Sequence, residues 1–255
     1  MARSRTLRAL SFISLATLTA LFATLLPGLS GTPRQAKADP TGFASTVKII
    51  AYKYTSNGYL LAFSQGSGTL TDSSGLVVTN NHVVSESAEE DDAYDVFELC
   101  FTLTATSAPQ CGYTASLVAR DANLDVAILK AHSLPTNGVA LPYKGNPKPG
   151  LNDALTLYSY PATGGETLTV TQGNVSGFVE ADGIEYIKTD AYVDYGSSGG
   201  TAVNVTGQWV GIPTFKFSDL GYLLTIQEAE PWIDAHKNDA VQVNQAAKTA
   251  LEHRL

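Results

Sequence analysis

From residue 39 onward the apolar positions fall in short runs broken by turn residues. ASTVKIIAYKY (44–54) is rich in β-branched residues and tyrosine, and GYLLAFSQGSGTLTD (58–72) and GLVVTNNHVV (75–84) follow it. Each reads as a strand, because β-branched and aromatic side chains suit a pleated, half-buried surface. DVFELCFTLTA and QCGYTASLVARD flank a small loop, and LDVAILKA (124–131) is an apolar run bounded by turns. A Pro/Gly/Asn-rich stretch, LPYKGNPKPGLND (141–153), has no period and reads as a linker. Strand-like text then resumes with ALTLYSYP, ETLTVTQGNVSGF, EYIKTDA, TAVNVTGQWVGIPTF and GYLLTIQ. From Glu228 the pattern becomes helical, with Pro231 expected in the first turn. About six strand candidates on each side of the linker fit two closed antiparallel barrels. The chain is therefore expected to be all-β: two six-stranded antiparallel β-barrels with a C-terminal helix. The expected partition is 39–140 for the first barrel, 141–153 for the linker, 154–237 for the second barrel and helix, and 238–255 for a tail.

The first 38 residues follow another pattern. Arg3, Arg5 and Arg8 precede an apolar run from Ala9 to Leu26, and the segment ends Ala36-Lys37-Ala38. This is the three-part pattern of a secretory signal with cleavage after Ala38. The run is also long enough to span a bilayer, so an uncleaved N-terminal anchor is the alternative. The expectation is a secreted, periplasmic or cell-surface protein with no membrane span once the signal is removed.

Composition narrows the partners. The 255 residues are 44% hydrophobic and 16% charged, enough for a sizeable core. Five of the sixteen basic residues lie in 1–38, so the remainder carries eleven bases against twenty-four acids, a net −13. Such a surface repels phosphate backbones and argues against nucleic acid. Cys100 and Cys111, in two strands around a loop of an exported chain, are expected to form one disulfide across a hairpin. Two cysteines with no nearby histidine are an incomplete zinc set, so no metal and no cofactor are expected. The acidic stretch 85–95 matches no calcium-loop spacing and is expected to be a solvated loop. Asn174-Val175-Ser176 and Asn204-Val205-Thr206 fit the glycosylation pattern.

Candidate chemistry centres on D-Y-G-S-S-G-G (194–200). A serine hydroxyl is unreactive until a base takes its proton, so the loop needs a histidine elsewhere. His132, His236 and His253 read as surface side chains. His82 ends the run GLVVTNNHVV, where a strand gives way to a loop and a side chain can be held yet reach a cleft. A working imidazole also needs a carboxylate on its other nitrogen. Asp125 stands directly before an apolar run, where a carboxylate is costly to bury unless paired. Asp121 reads as a turn residue.

The order His82, Asp125, serine resembles that of the chymotrypsin-like (trypsin-fold) serine proteases. GSGTLTDSSGLVVTNNHVV, DANLDVAILK and TDAYVDYGSSGGTAVN look closest to the Deg, or high-temperature-requirement, type. The resemblance covers about residues 42–237 and implies the trypsin-like fold and peptide-bond hydrolysis. The text after Ile233 is too short for a peptide-binding PDZ module. The family pattern Gly-x-Ser-Gly-Gly implies Ser198 as nucleophile, with the amides of Gly196 and Ser198 as oxyanion hole. Ser197 stands where some relatives carry an Asp that pairs with a newly freed N-terminus. Serine cannot make that pair, which implies no such activation step. By the same resemblance Tyr192, Val193, Pro213, Thr214 and Phe215 are the expected pocket. Tyr192 replaces the acid of Arg/Lys-specific members, and Phe215 is expected to narrow the entrance. The expected P1 residue, the one whose carbonyl is cleaved, is a small or medium apolar side chain of a protein or peptide substrate. Lys216 could instead favour an acidic residue. The competing expectation is a trypsin-fold binding protein that has no turnover.

Overall fold

The computed structural model describes residues 40–242, apart from positions 56, 88, 90, 91 and 137. The signal segment expected over 1–38 and the tail from 243 lie outside the described residues. The chain opens with a short helix, α1 (Pro40–Ser45), and then forms β1 (Thr46–Tyr54), β2 (Leu60–Leu70) and β3 (Leu76–Thr79). A one-turn helix, α2 (Asn81–Val84), follows, and then β4 (Val96–Phe101), β5 (Gln110–Asp121) and β6 (Val126–Ala131). These six strands close into an antiparallel barrel in the order β1-β2-β3-β6-β5-β4.

The second barrel comprises β7 (Ala154–Ser159), β8 (Thr169–Ala181), β9 (Ile184–Thr189), β10 (Thr201–Val203), β11 (Trp209–Phe217) and β12 (Leu220–Thr225). It closes in the order β10-β11-β12-β9-β8-β7, and α3 (Ile226–His236) follows it. Closure leaves no sheet edge, which is how short strands avoid unpaired backbone groups. The expected architecture is thus the observed one, two six-stranded barrels of the trypsin-like type.

Three apolar clusters hold the molecule together. Val47, Ile49, Leu70, Val77, Leu99 and Leu129 fill the first barrel, and Leu155, Leu157, Val175, Ile187, Val210 and Leu223 fill the second. The third cluster draws from both: Val78, Val126 and Ile128 of the first barrel pack with Tyr158, Trp209 and Ile212 of the second. Alternation along each strand explains this division. In β6, Ala127 and Leu129 turn into the barrel while Val126 and Ile128 face the other barrel. A buried hydroxyl chain crosses the same seam: Thr46 Oγ1 donates to Thr201 Oγ1 at 2.7 Å, and Thr69 and Thr201 share a further 2.7 Å bond.

Several local expectations change. GLVVTNNHVV is a strand only over Leu76–Thr79, after which the chain turns helical. Val83 and Val84 are consecutive, yet both are buried in the first barrel's core, which a strand's alternation forbids and one helical turn allows. The segment 141–153 contains no strand, but Leu141 and Tyr143 are buried in the inter-barrel cluster. Leu141 N–H donates to Leu70 O at 2.9 Å, and the Tyr143 hydroxyl donates to Asp234 at 2.7 Å. α3 starts at Ile226 because the Thr225 side chain caps it, accepting from Glu228 N–H at 3.3 Å. Pro231 therefore falls in the second turn, where it has no N–H to give the Gln227 carbonyl.

The disulfide expected between Cys100 and Cys111 is present and ties β4 to β5. It sits where the register slips between Leu99 and Phe101. No helix among the described residues is long and apolar enough to cross a membrane.

Candidate active site

His82 sits on α2, immediately after β3, and Asp125 ends the β5–β6 turn. Two bonds join them: His82 Nδ1 to Asp125 Oδ2 at 2.8 Å, and His82 N–H to Asp125 Oδ1 at 3.0 Å. One carboxylate thus fixes both the ring and the turn of helix that carries it. Asp125 has φ 52°, a left-handed conformation unusual for a side-chain-bearing residue. Asn80 supports it: fully buried, its Nδ2 donates to Asp125 O at 2.7 Å and reaches Thr214 Oγ1 at 3.3 Å. The carboxylate is less buried than expected, with the Asp125 side chain 21% exposed and His82 48% exposed.

A cavity of about 450 Å³ opens between the barrels and is lined by His82, Asp125, Val193, Asp194, Tyr195, Ser198, Thr214, Phe215 and Lys216. The three residues proposed for the chemistry therefore meet in one cleft, brought there from both barrels. Ser198 Oγ donates to Thr214 O at 3.3 Å, and no hydrogen bond joins it to His82. Such contacts are often long until substrate is bound. Ser197 points elsewhere: it is 1% exposed, and its Oγ accepts from Asp194 N–H and from Ser159 Oγ, both at 3.2 Å.

The backbone of the serine loop is held carbonyl by carbonyl. Asp194 O accepts from Ser197 N–H at 2.8 Å, Tyr195 O from Ala162 N–H at 2.7 Å, and Ser197 O from Gly200 N–H at 3.0 Å. Gly196 O accepts from Ser67 Oγ at 2.7 Å, and Ser198 O accepts from Ser67 N–H at 2.8 Å. Gly199 N–H donates to Pro213 O at 2.9 Å. The amides left without a protein acceptor among the described residues are those of Gly196 and Ser198. In a trans peptide the C=O and N–H point oppositely, so holding Tyr195 O on Ala162 turns the Gly196 N–H the other way. Gly196 has φ +89°, and a Cβ there would lie 2.5 Å from Tyr160 O, so this loop requires glycine.

Of the expected pocket residues, Val193, Thr214 and Phe215 line the cleft, while Tyr192 and Pro213 do not. The Tyr192 hydroxyl is drawn to Asp194 Oδ2 at 2.8 Å. Pro213 is buried in β11, opposite Leu223. Phe215 stacks on Tyr222 with centroids 4.7 Å apart and meets Tyr186 edge-on at 5.4 Å. Sequence reading missed Ser67 and Asn80, and it left Asp194 and Lys216 unconnected. The only available signal for Ser67 was its place between two glycines. Those glycines are required, because a Cβ at Gly66 would meet Val83 at 2.6 Å and one at Gly68 would meet Ile49 at 2.7 Å.

The acidic loop is internally compensated where it is described. Lys53 pairs with Asp92 at 3.3 Å and with Glu86 at 3.7 Å, and Arg120 donates to Ser87 O at 3.1 Å. Hydrogen bonds from Ser87 and then Lys53 hold the Asp92 carboxyl below its usual range.

The sequence profile of the trypsin-like peptidase domain matches residues 66–212. Human serine protease HTRA3 is 29% identical over 167 residues, which are 62% of this chain and 35% of that protein. A probable periplasmic serine endoprotease, DegP-like, of Brucella suis biovar 1 is 31% identical over 182 residues, 68% of this chain and 32% of its own length. The chain thus spans about a third of the length of these relatives. The crystal structure of the serine endoprotease from Yersinia pestis superposes with a TM-score of 0.60 at 26% identity, covering 77% of this chain and 64% of that one.

Proposed function

Because this chain belongs to the trypsin-like peptidase domain family, we propose that it is a serine endopeptidase working through His82, Asp125 and Ser198. The observation that carries this reading is the meeting of a carboxylate-anchored histidine and a serine in one cleft, with the amides of Gly196 and Ser198 free of protein acceptors among the described residues. In the proposed mechanism His82 Nε2 takes the Ser198 proton as Oγ attacks the substrate carbonyl. The amides of Gly196 and Ser198 receive the oxyanion; one such donor is typically worth about 3–4 kcal/mol of transition-state stabilisation. Asp125 stabilises the imidazolium, which then protonates the leaving amine, and water resolves the acyl-enzyme.

The proposed substrate is an exported or extracytoplasmic protein cleaved after a small or medium apolar residue. The A-x-A segment and the cysteine pair support export, and a relative named as periplasmic is consistent with it. With serine at 197 the protein is proposed to need no N-terminal ion pair for activity, and its processing is limited to removal of 1–38.

A fluorophosphonate probe tests the reading. Labelling at Ser198, lost in His82→Ala and in Ser198→Ala but kept in Ser197→Ala, is the expected result. Ser197→Ala should retain most hydrolysis because its hydroxyl serves the buried face of the loop. Equal loss in the two serine variants would overturn the assignment. The rival reading, a silent binding protein, has one observation on its side, the Ser198–Thr214 bond. It predicts no labelling in folded protein.

A further inference from the structure

Asp194 and Lys216 face each other across the cleft. Asp194 belongs to the segment leading to Ser198, Lys216 lies in the exposed last third of β11, and both line the cavity that holds His82 and Ser198. Their charges are joined at 2.5 Å. The Asp194 carboxylate also accepts from the Tyr192 hydroxyl at 2.8 Å and from Thr163 Oγ1 at 3.1 Å. Lys216 first, then Tyr192 and the Tyr195 N–H, hold its carboxyl well below the usual range. Its side chain is only 9% exposed against 42% for Lys216, whose ammonium also lies 5.6 Å from the centre of the Tyr195 ring.

Two physical consequences follow from this pairing. Each charge is spent on the other. An incoming guanidinium meets a carboxylate whose lone pairs are already taken, and an incoming carboxylate meets an ammonium already neutralised. The pair also ties the segment before Ser198 to β11, both of which line the cavity. Tyr192, expected at the pocket's far end, is bonded to Asp194 and does not line the cavity.

We propose that the Asp194–Lys216 ion pair is the specificity element of this cleft: a self-neutralised bar that restricts P1 to short apolar side chains and masks one acidic and one basic subsite. This rests on the peptidase reading above and deepens it. Removing either partner should unmask the other, since leaving a charge unpaired in a cleft favours a ligand of opposite sign.

The test is a peptide library varied at P1, cleaved by the full chain as wild type, Lys216→Met, Asp194→Asn and the double variant. Lys216→Met is expected to raise kcat/KM for P1 Arg and Lys over P1 Val by about tenfold, and Asp194→Asn to raise P1 Asp and Glu by a similar factor. The double variant should lose both gains and accept longer apolar residues. Opposite charge shifts in the two single variants are an outcome that a purely structural role would not give. If Asp194→Asn fails to fold, Lys216→Met decides alone, since Lys216 is half-exposed and, among the described residues, the only side chain it bonds is Asp194. A wild type that cleaves while the variants keep its P1 profile within about twofold would overturn this proposal and leave the peptidase reading intact. A wild type that neither cleaves nor takes the fluorophosphonate label would overturn the peptidase reading instead.

Discussion

Ser67 offers the sharpest test of how the cleft is built. It is fully buried on β2 and makes three hydrogen bonds to the second barrel, two of them to the serine loop. Its hydroxyl donates to Gly196 O at 2.7 Å and accepts from Tyr160 N–H at 2.9 Å, while its own N–H reaches Ser198 O at 2.8 Å. Ser67→Ala removes only the hydroxyl. The Tyr160 amide, in a residue 1% exposed, then has no acceptor, and Gly196 O loses its donor. An unsatisfied buried group costs about 1–3 kcal/mol. Gly196 is only partly buried, so water can replace the donor and its share falls at the low end. The expected loss is about 2–4 kcal/mol, a large part of a typical domain's stability. Activity should suffer as well, because the peptide plane that carries Gly196 O lies between the two planes whose N–H groups, on Gly196 and Ser198, are proposed to receive the oxyanion. Losing one oxyanion donor entirely costs about 10²–10³ in kcat, which sets a ceiling. A loosened loop should lower kcat by about tenfold to a hundredfold, with KM changing less. Urea denaturation followed by the fluorescence of Trp209 and Trp232 reads the first quantity, and steady-state kinetics on one peptide reads the second. A stability loss under about 0.5 kcal/mol with kcat unchanged would refute the role given to the hydroxyl. A stability loss with kcat intact would leave a fold contact and remove the link to the oxyanion loop.

Other outcomes follow from single features. Replacing both Cys100 and Cys111 by alanine opens a link of sequence separation 11, and the chain-entropy relation gives a loss of about 3 kcal/mol, read from the urea midpoint. Gly199 has φ +80°, and a Cβ would sit 2.1 Å from Ser67 O and 2.2 Å from Thr79 Oγ1. Gly199→Ala should therefore abolish fluorophosphonate labelling, and a variant with normal labelling would contradict the packing described. Lys144, then Lys237 and Tyr143, hold the Asp234 carboxyl below its usual range. Its folded pKa is depressed, so its contribution is full above the unfolded value, about 3.9, and is lost as pH falls toward the folded one. The urea midpoint of Asp234→Asn should lie below wild type at neutral pH and converge with it in acid. Parallel curves would exclude the carboxylate as the cause.

What the sequence revealed depended on how local the information was. Strands were legible because each carries its own alternation and its own turn residues. The pair His82 and Asp125 was legible because each sits beside an apolar run that fixes its place. Ser67 was not, since its partner Gly196 is 129 residues away and no local pattern links one barrel's strand to the other's loop. Asp194 and Lys216 were not linked, Lys216 being read alone as a side chain that could favour an acidic residue, because their meeting depends on the closure of the second barrel. The helical turn at His82 was misread for a subtler reason: two consecutive valines are both buried there, and an apolar pair is compatible with a fully buried strand as well as a turn of helix.

The serine loop itself joins these levels. All five carbonyls from Asp194 to Ser198 are engaged, two of them by Ser67 of the other barrel and one by Ala162. Each engaged carbonyl fixes its peptide plane, and with it the direction of the following amide. The amides of Ser197, Gly199 and Gly200 are drawn inward to Asp194 O, Pro213 O and Ser197 O. Those of Gly196 and Ser198 are what remains. The proposed anion site, made from these leftover donors, needs no charge of its own, because preorganised N–H dipoles suffice. That fits the uncharged residue at 197: the loop is oriented by neutral hydrogen bonds supplied from both barrels. Its geometry should therefore be coupled to how the barrels pack, and substitutions across the Thr46–Thr201–Thr69 seam belong to the same mechanical unit as the proposed nucleophile, Ser198.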